Sequence, residues 1–420
     1  IKNYATGYDI IDSVLGGAIV NNGQITNLHA SFNSNYVNAK AYNAFGGAVY
    51  NKNYLNNIQG DFSNNYVIAE QNGSGGAIDN ESQIYTIVGS FKNNYVQAMY
   101  ATGGAIFSPE TSYIGDITAD FISNYAVSTT NNANGGAIIN AGRIRNITGT
   151  FEGNYVNAIL LANGGAIYNS GTITNISASF INNYALGKTG AKGGAIYTIK
   201  DLNFSATNKA FEISGNYIST DEGQTKINQA VYIDAPYVTI TFNLLEGGSY
   251  TIMDNFTGSE TYDILFKSED KTGLIVFKGT LYNANATIDG VNFTPASSTF
   301  ADDTTTLTVN SGIINLQDSS ITDYYITRLT SAADAEYTID IDSTSGDFDK
   351  LFVGSSSSGI VTINSVQYSG DLREGTYQIL HATKKDSNSN KANIELALGD
   401  NLNFGMNVLK PIMNWTDKIS

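Results

Sequence analysis

The tetrapeptide Phe-x-x-Asn occurs six times at a spacing of 29 or 30 residues: Phe32 to Asn35, Phe62 to Asn65, Phe91 to Asn94, Phe121 to Asn124, Phe151 to Asn154 and Phe180 to Asn183. A second motif, Gly-Gly-Ala followed by Ile or Val, opens each unit at Gly16, Gly46, Gly75, Gly103, Gly135, Gly164 and Gly193. Two interleaved motifs on one period mark a solenoid, in which a unit buries its apolar side only against its stacked neighbours.

One unit identifies the kind of solenoid. Between Gly164 and Leu186 nothing repeats every 3.6 residues. Apolar positions alternate instead: Ile176, Ala178 and Phe180 point one way, and Asn175, Ser177 and Ser179 the other, as in a strand with one buried face. Ile173 has the wrong parity for that set, so a bend is predicted around Thr174 and Asn175, with a tighter one at Gly164 and Gly165. The absence of a helical period excludes helical repeats, and the absence of a leucine pattern excludes leucine-rich repeats. The fold class predicted is all-β: a right-handed parallel β-helix with one coil of roughly 30 residues per repeat.

Neighbouring coils about 4.8 Å apart stack the motif phenylalanines in register inside, each contributing on the order of 2 to 3 kcal/mol by burial. The Asn three residues on breaks the strand parity, which predicts a corner where its amide turns inward and bonds to the coils above and below, as in other stacked β structures. The paired glycines allow a crowded corner.

Gly-Gly-Ala-Ile paired with Phe-x-x-Asn resembles the tetrapeptide signature of the polymorphic outer-membrane proteins of chlamydiae, and similar repeats occur in other bacterial autotransporter passengers. The resemblance covers about residues 16 to 218. Further on, Tyr337 to Lys350, Ser-Gly-Ile-Val-Thr-Ile and Gly375 to Leu380 are similar to the end of an autotransporter passenger before its barrel. The resemblance implies a surface-exposed β-helix secreted through a C-terminal outer-membrane barrel and used in adhesion. No barrel sequence is present, so the chain is expected to be an excised or processed passenger, located at the bacterial cell surface or secreted.

Regularity divides the sequence. Residues 1 to 221 hold the repeats; 222 to 410 lose Gly-Gly-Ala but keep β-rich segments such as Tyr237 to Phe242 and Gly359 to Ile363; 411 to 420 form a tail. The middle region is expected to continue the β-helix irregularly and cap it, with a separately packed β-sandwich as the competing arrangement. The net charge of −16 argues against nucleic acid, which needs basic patches. There is no cysteine and hence no disulfide framework or thiolate metal site. No apolar run approaches the roughly 20 residues needed to span a bilayer, and Ile1 to Gly7 does not read as a signal peptide, so a membrane is expected to be met only through a barrel absent from this chain.

Catalytic patterns are sparse. His29 and His381 lack the Ser or Cys and carboxylate neighbours of a triad, and no nucleophile-elbow sequence occurs. Arg143 and Arg145 share a strand face, where a solvated pair is the simpler reading than an anion site. The stretch Asp340 to Asp349 offers hard oxygen ligands but fails the calcium-loop template, because Gly346 is one place late and Leu351 stands where the template has Glu. It reads instead as a strand with Asp340 and Asp342 facing water, then a turn. No cofactor or metal is expected.

Two outward features remain. Tyrosine follows every Phe-x-x-Asn, at Tyr36, Tyr66, Tyr95, Tyr125, Tyr155 and Tyr184, with Tyr217 after a degenerate seventh copy. With the following Val or Ala inward, these rings form an outer stripe that either stacks on sugars or a partner surface, or stacks on itself and shields the backbone. The segments before each Gly-Gly vary in length and content, which predicts a ridge of loops where solenoids bind. Ile159, Leu160 and Leu161 make an apolar patch there, unless the loop folds them inward. The expected function is a non-enzymatic adhesin or self-association module. Its expected partner is a host-cell surface protein, a glycan or the same protein on another cell. The alternatives are a rigid spacer presenting upstream regions and a polysaccharide-processing β-helix, for which Asp79, Asp116 and Asp120 are the first candidates.

Overall fold

The computed structural model describes residues 2–7, 13–318, 320–342, 347–354, 356–369, 379–383, 393–398 and 415–416. Every regular element among them is a β-strand, and among the described residues no helix is long and apolar enough to cross a membrane. The chain divides into two compact units: Ile1–Phe204 with Phe211–Val238 and Asp254–Ser259, and Ser205–Ala210 with Thr239–Met253 and Glu260–Ser420.

In the first unit each repeat is one coil of short strands, five in the first two coils and four in the third to sixth. In the fifth coil these are Ile138–Asn140, Arg143–Glu152, Tyr155–Ala158 and Leu161–Asn163. Each pairs in parallel with its counterpart one repeat on: Ile138 with Ile167, Phe151 with Phe180, Tyr155 with Tyr184 and Ala162 with Ala191. Identical residues therefore stack in columns. The motif phenylalanines are fully buried, with ring centres 4.7–4.9 Å apart and nearly parallel. This is the parallel β-solenoid that the repeat predicts. The bend expected at Thr174 and Asn175 is absorbed inside one ten-residue strand, Thr172–Ile181. Ile173 and Ile176 are both buried there although three positions apart, and the pairing with the preceding coil skips Thr174, where the bend is expected.

The two glycines of each pair do different work. Gly135 holds a left-handed backbone at φ 60°, and its counterparts at 16, 46, 75, 103, 164 and 193 do the same. At Gly136 the limit is space, because a Cβ there would run into the carbonyl oxygen of Gly165 in the next coil.

The second unit also pairs its strands in parallel. Thr239–Leu245 lies on Asp263 to Lys267, Leu281–Pro295 on Thr306–Asn315, and Ala335–Asp342 on Ser358–Ser369. Sheets of this kind belong to a solenoid, not to an antiparallel sandwich. Stacked partners here lie at varying separations, from 18 residues between Leu274 and Asn292 to 35 between Val361 and Leu396. The coils are therefore uneven in length, unlike the repeats, and the Gly-Gly-Ala motif is absent from them. Their interior is aromatic, with Phe242, Tyr250, Phe266, Phe277 and Phe293 buried together.

Candidate partner-binding surface

The outer face of the first unit is set by its Asn corner. In Phe-x-x-Asn the residue before Asn takes a left-handed backbone, with φ 54–58° at Ser34, Asn64, Asn93, Ser123 and Asn182. Asn, Ser and Gly fill this place because a short polar side chain, or none, tolerates that conformation. The corner then points the motif Asn inward. Asn124 Nδ2 donates to Asn154 Oδ1 (2.9 Å) in the next coil and to the Phe91 carbonyl (2.9 Å) in the previous one. Its Oδ1 accepts the backbone N–H of Asn94 (3.0 Å) and Asn94 Nδ2 (2.9 Å). The pattern runs from Asn35 through Asn65, Asn94, Asn124, Asn154 and Asn183 to Asn216. It ends on Asp254, whose carboxylate accepts Asn216 N (2.9 Å), Asn216 Nδ2 (2.7 Å) and Gly215 N (3.1 Å).

Leaving that corner, the chain alternates Tyr out and Val or Ala in. Val37, Val67, Val96, Ala126, Val156 and Ala185 are buried in one cluster. The tyrosines stack face to face, with centres 4.9 Å apart for Tyr36 and Tyr66, 4.8 Å for Tyr95 and Tyr125, and 5.1 Å for Tyr184 and Tyr217. Burial in the stack pushes the Tyr95 hydroxyl up to about 12, with the neighbouring Tyr125 and Tyr66 adding to the effect. Burial also raises Tyr66, Tyr125, Tyr155 and Tyr184. Since each inner ring spends both faces on its neighbours, the stripe offers a partner ring edges and hydroxyls. Stacking of sugars along its length, one of the sequence expectations, has no free face to use.

The variable loops carry the apolar patch outward. Ile159, Leu160 and Leu161 are 39%, 37% and 39% exposed, beside Leu161–Asn163. A shallow groove of about 370 Å³ lies on the same unit, lined in part by Asn38, Lys40, Ile68, Glu70 and Gln97.

The other candidates are held by structural contacts. Asp116 binds Arg145 and accepts Asn146 Nδ2 (2.7 Å) in the next coil, and the Arg145 hydrogen bond holds its carboxyl below the usual range. Arg143 lies over the Tyr113 ring at 5.9 Å. Asp120 accepts the Thr150 N–H (2.9 Å). Asp79 is fully buried against Ser74, and burial pushes its carboxyl well up. Asp116 and Asp120 sit on one strand, Tyr113–Ile122, with Asp120 exposed, whereas Asp79 on Ile78–Asn80 is sealed from solvent, so the three do not share one surface. His29 is exposed, and His381 stacks on Phe352 (4.5 Å).

The acidic stretch differs from its sequence reading. Asp340 is buried, not facing water. Its Oδ2 accepts the Asp318 N–H (2.9 Å), and Asp349 accepts the N–H groups of Asp340 (2.6 Å) and Thr322 (2.9 Å). Strand parity gives the side of the sheet, and here that side is covered by a turn these carboxylates tie down. The side chain of Asp342 and residues 343–346 lie outside the described residues. Among those described, no group of His, Cys, Asp or Glu could hold a metal.

A second amide ladder escaped the sequence reading. Asn21 Nδ2 donates to Asn51 Oδ1 (2.7 Å), Asn51 to Asn80 (2.8 Å) and Asn140 to Asn169 (2.9 Å). Its signal is visible in retrospect as Asn in the third place after Gly-Gly-Ala. At the fourth coil Ser108 takes that place and pairs with Ser112 (2.5 Å), where two extra residues precede the motif Phe.

These features define a class: a parallel β-solenoid whose motif residues hold coil to coil and whose loops and tyrosine edges face outward. The Chlamydia polymorphic membrane protein (Chlamydia_PMP) repeat is detected at residues 177–199, which run from the Phe180 corner through the Tyr184 strand to the next Gly-Gly-Ala. No curated protein and no solved structure matches the chain. That repeat does not belong to an enzyme family; repeat and fold together fit a surface-exposed autotransporter passenger, and the repeat's family points to the outer membrane or cell surface.

Proposed function

We propose that the chain is a non-enzymatic adhesive passenger, binding a host-cell surface protein or glycan, or a second copy of itself, through the outer face of its repeats. The observation that carries this reading is the exposed Ile159, Leu160 and Leu161, three consecutive apolar side chains on one ridge. Contiguous apolar side chains in water are costly unless a partner covers them. Edges of the tyrosine stripe and the neighbouring groove supply a polar rim of the kind that surrounds such contacts. Enzymatic action on polysaccharide has less support, because Asp116 and Asp120 are engaged between coils and Asp79 is sealed.

The test is saturable binding of the fluorescently labelled protein to host cells by flow cytometry, with sedimentation velocity in parallel for self-association. Competable binding or a concentration-dependent oligomer is expected. A chain that stays monomeric and binds no cell type in excess of a scrambled-loop control contradicts the proposal.

A further inference from the structure

The tyrosine stack has an end, and an open notch lies there. Tyr217 uses one face on Tyr184, 5.1 Å away, which leaves the other to the ammonium of Lys226, 4.4 Å from the ring centre. No further tyrosine strand follows, because Tyr217–Ser219 pairs instead with an antiparallel segment, Ile227–Asn228. The stack therefore stops at a notch of about 540 Å³, within the roughly 300–1,000 Å³ of small-ligand sites.

Its walls differ from those of the coil before it. Gly215 stands at the left-handed position occupied by Asn182 one coil before, at φ 67°. A side chain at 215 would meet the Asn182 amide oxygen, so the glycine is what keeps the notch open up to Asn182. Asp254 closes the floor, its carboxylate fixed by Gly215 and Asn216 and by Asn228. Lys226 is exposed and sits on a flexible stem, so its ammonium can leave the ring at little cost.

An aromatic face beside fixed amides, a carboxylate and a movable cation matches the two sides of a pyranose: an apolar C–H face and a rim of hydroxyls. We propose that this notch binds a single pyranose residue of a glycan, its C–H face on Tyr217 in place of the Lys226 ammonium. Lys226 then turns to the sugar's hydroxyl or carboxylate oxygens, and Asn182 and Asp254 meet the rim. The inference deepens the adhesin reading and rests on it for the role of binding at a cell surface.

The experiment is saturation-transfer NMR on the full chain with methyl glucoside, methyl galactoside, methyl mannoside, N-acetylglucosamine and glucuronic acid. Gly215→Asn is the informative variant, because Asn already occupies the equivalent place at Asn64, Asn93 and Asn182, so the coil keeps its fold while the notch is filled. At least one sugar is expected to receive transfer, falling about tenfold in Gly215→Asn and in Tyr217→Leu. Absence of transfer to all five sugars, or transfer that Gly215→Asn leaves unchanged, overturns the proposal. Cell binding measured on the same samples separates the two ideas. Cells bound equally by both proteins without sugar transfer remove the notch and leave the adhesin standing. Sugar transfer without cell binding keeps the notch and removes the adhesin.

Discussion

At the scale of single residues, the motif asparagines carry more than their number implies. Asn124 makes four hydrogen bonds to two neighbouring coils from a site with no access to water. Removing its amide orphans buried partners on both sides, each at roughly 1–3 kcal/mol. Asn124→Ala is therefore expected to lower stability by about 3–5 kcal/mol, toward the severe end for point mutants, in guanidinium unfolding followed by circular dichroism. A loss under about 1 kcal/mol would mean that the ladder is ornamental. The role of these residues was legible in the sequence because one residue type at a fixed period can only form a column. The second ladder obeys the same logic and was missed, because its Asn follows Gly-Gly-Ala by three places and lies outside the two motifs that define the repeat. Lys226, Gly215 and Asp254 could not be read at all, since they meet only where the repeat fails and no period marks the place.

At the scale of strands, alternation was a sound guide to faces and a poor one to environment. Ile176, Ala178 and Phe180 are buried as alternation predicts. Asp340 has the outward parity and is buried nonetheless, because Asp318 and Asp349 close a turn over it. That turn makes a pH-dependent element. Burial, with the nearby charges of Asp340 and Asp318, raises Asp349 from 3.8 to about 6 against the pull of its two backbone hydrogen bonds. A carboxyl whose folded pKa lies above its unfolded value binds protons more tightly when folded. Its effect is thus unfavourable above pH 6 and is relieved as pH falls from 6 toward 4. The second unit is expected to melt at a higher temperature at pH 5 than at pH 7, and the Asp349 carboxyl carbon to titrate near 6 by NMR. Titration at or below 4 would show that the turn leaves this group to solvent.

At the scale of the molecule, the repeat determines what remains for function. Phe, Asn and both glycines are consumed by stacking, the inner tyrosines by one another, and the candidate carboxylates by contacts with neighbouring coils or by burial. The variable ridge is left over, and sequence located it by its irregular length, though only the structure decided that Ile159, Leu160 and Leu161 point out and not in. The second unit was legible only as β-rich, because its coils are uneven in length and share no motif from which a register could be read.

The most direct measurement is a binding isotherm on host cells for the unaltered chain beside Ile159→Ser/Leu160→Ser/Leu161→Ser, the two matched by circular dichroism and melting temperature. Losing three half-exposed apolar side chains from the centre of a contact is expected to weaken binding at least about tenfold, the equivalent of 1.4 kcal/mol. An isotherm unchanged in the triple variant would contradict an adhesin that works through this ridge.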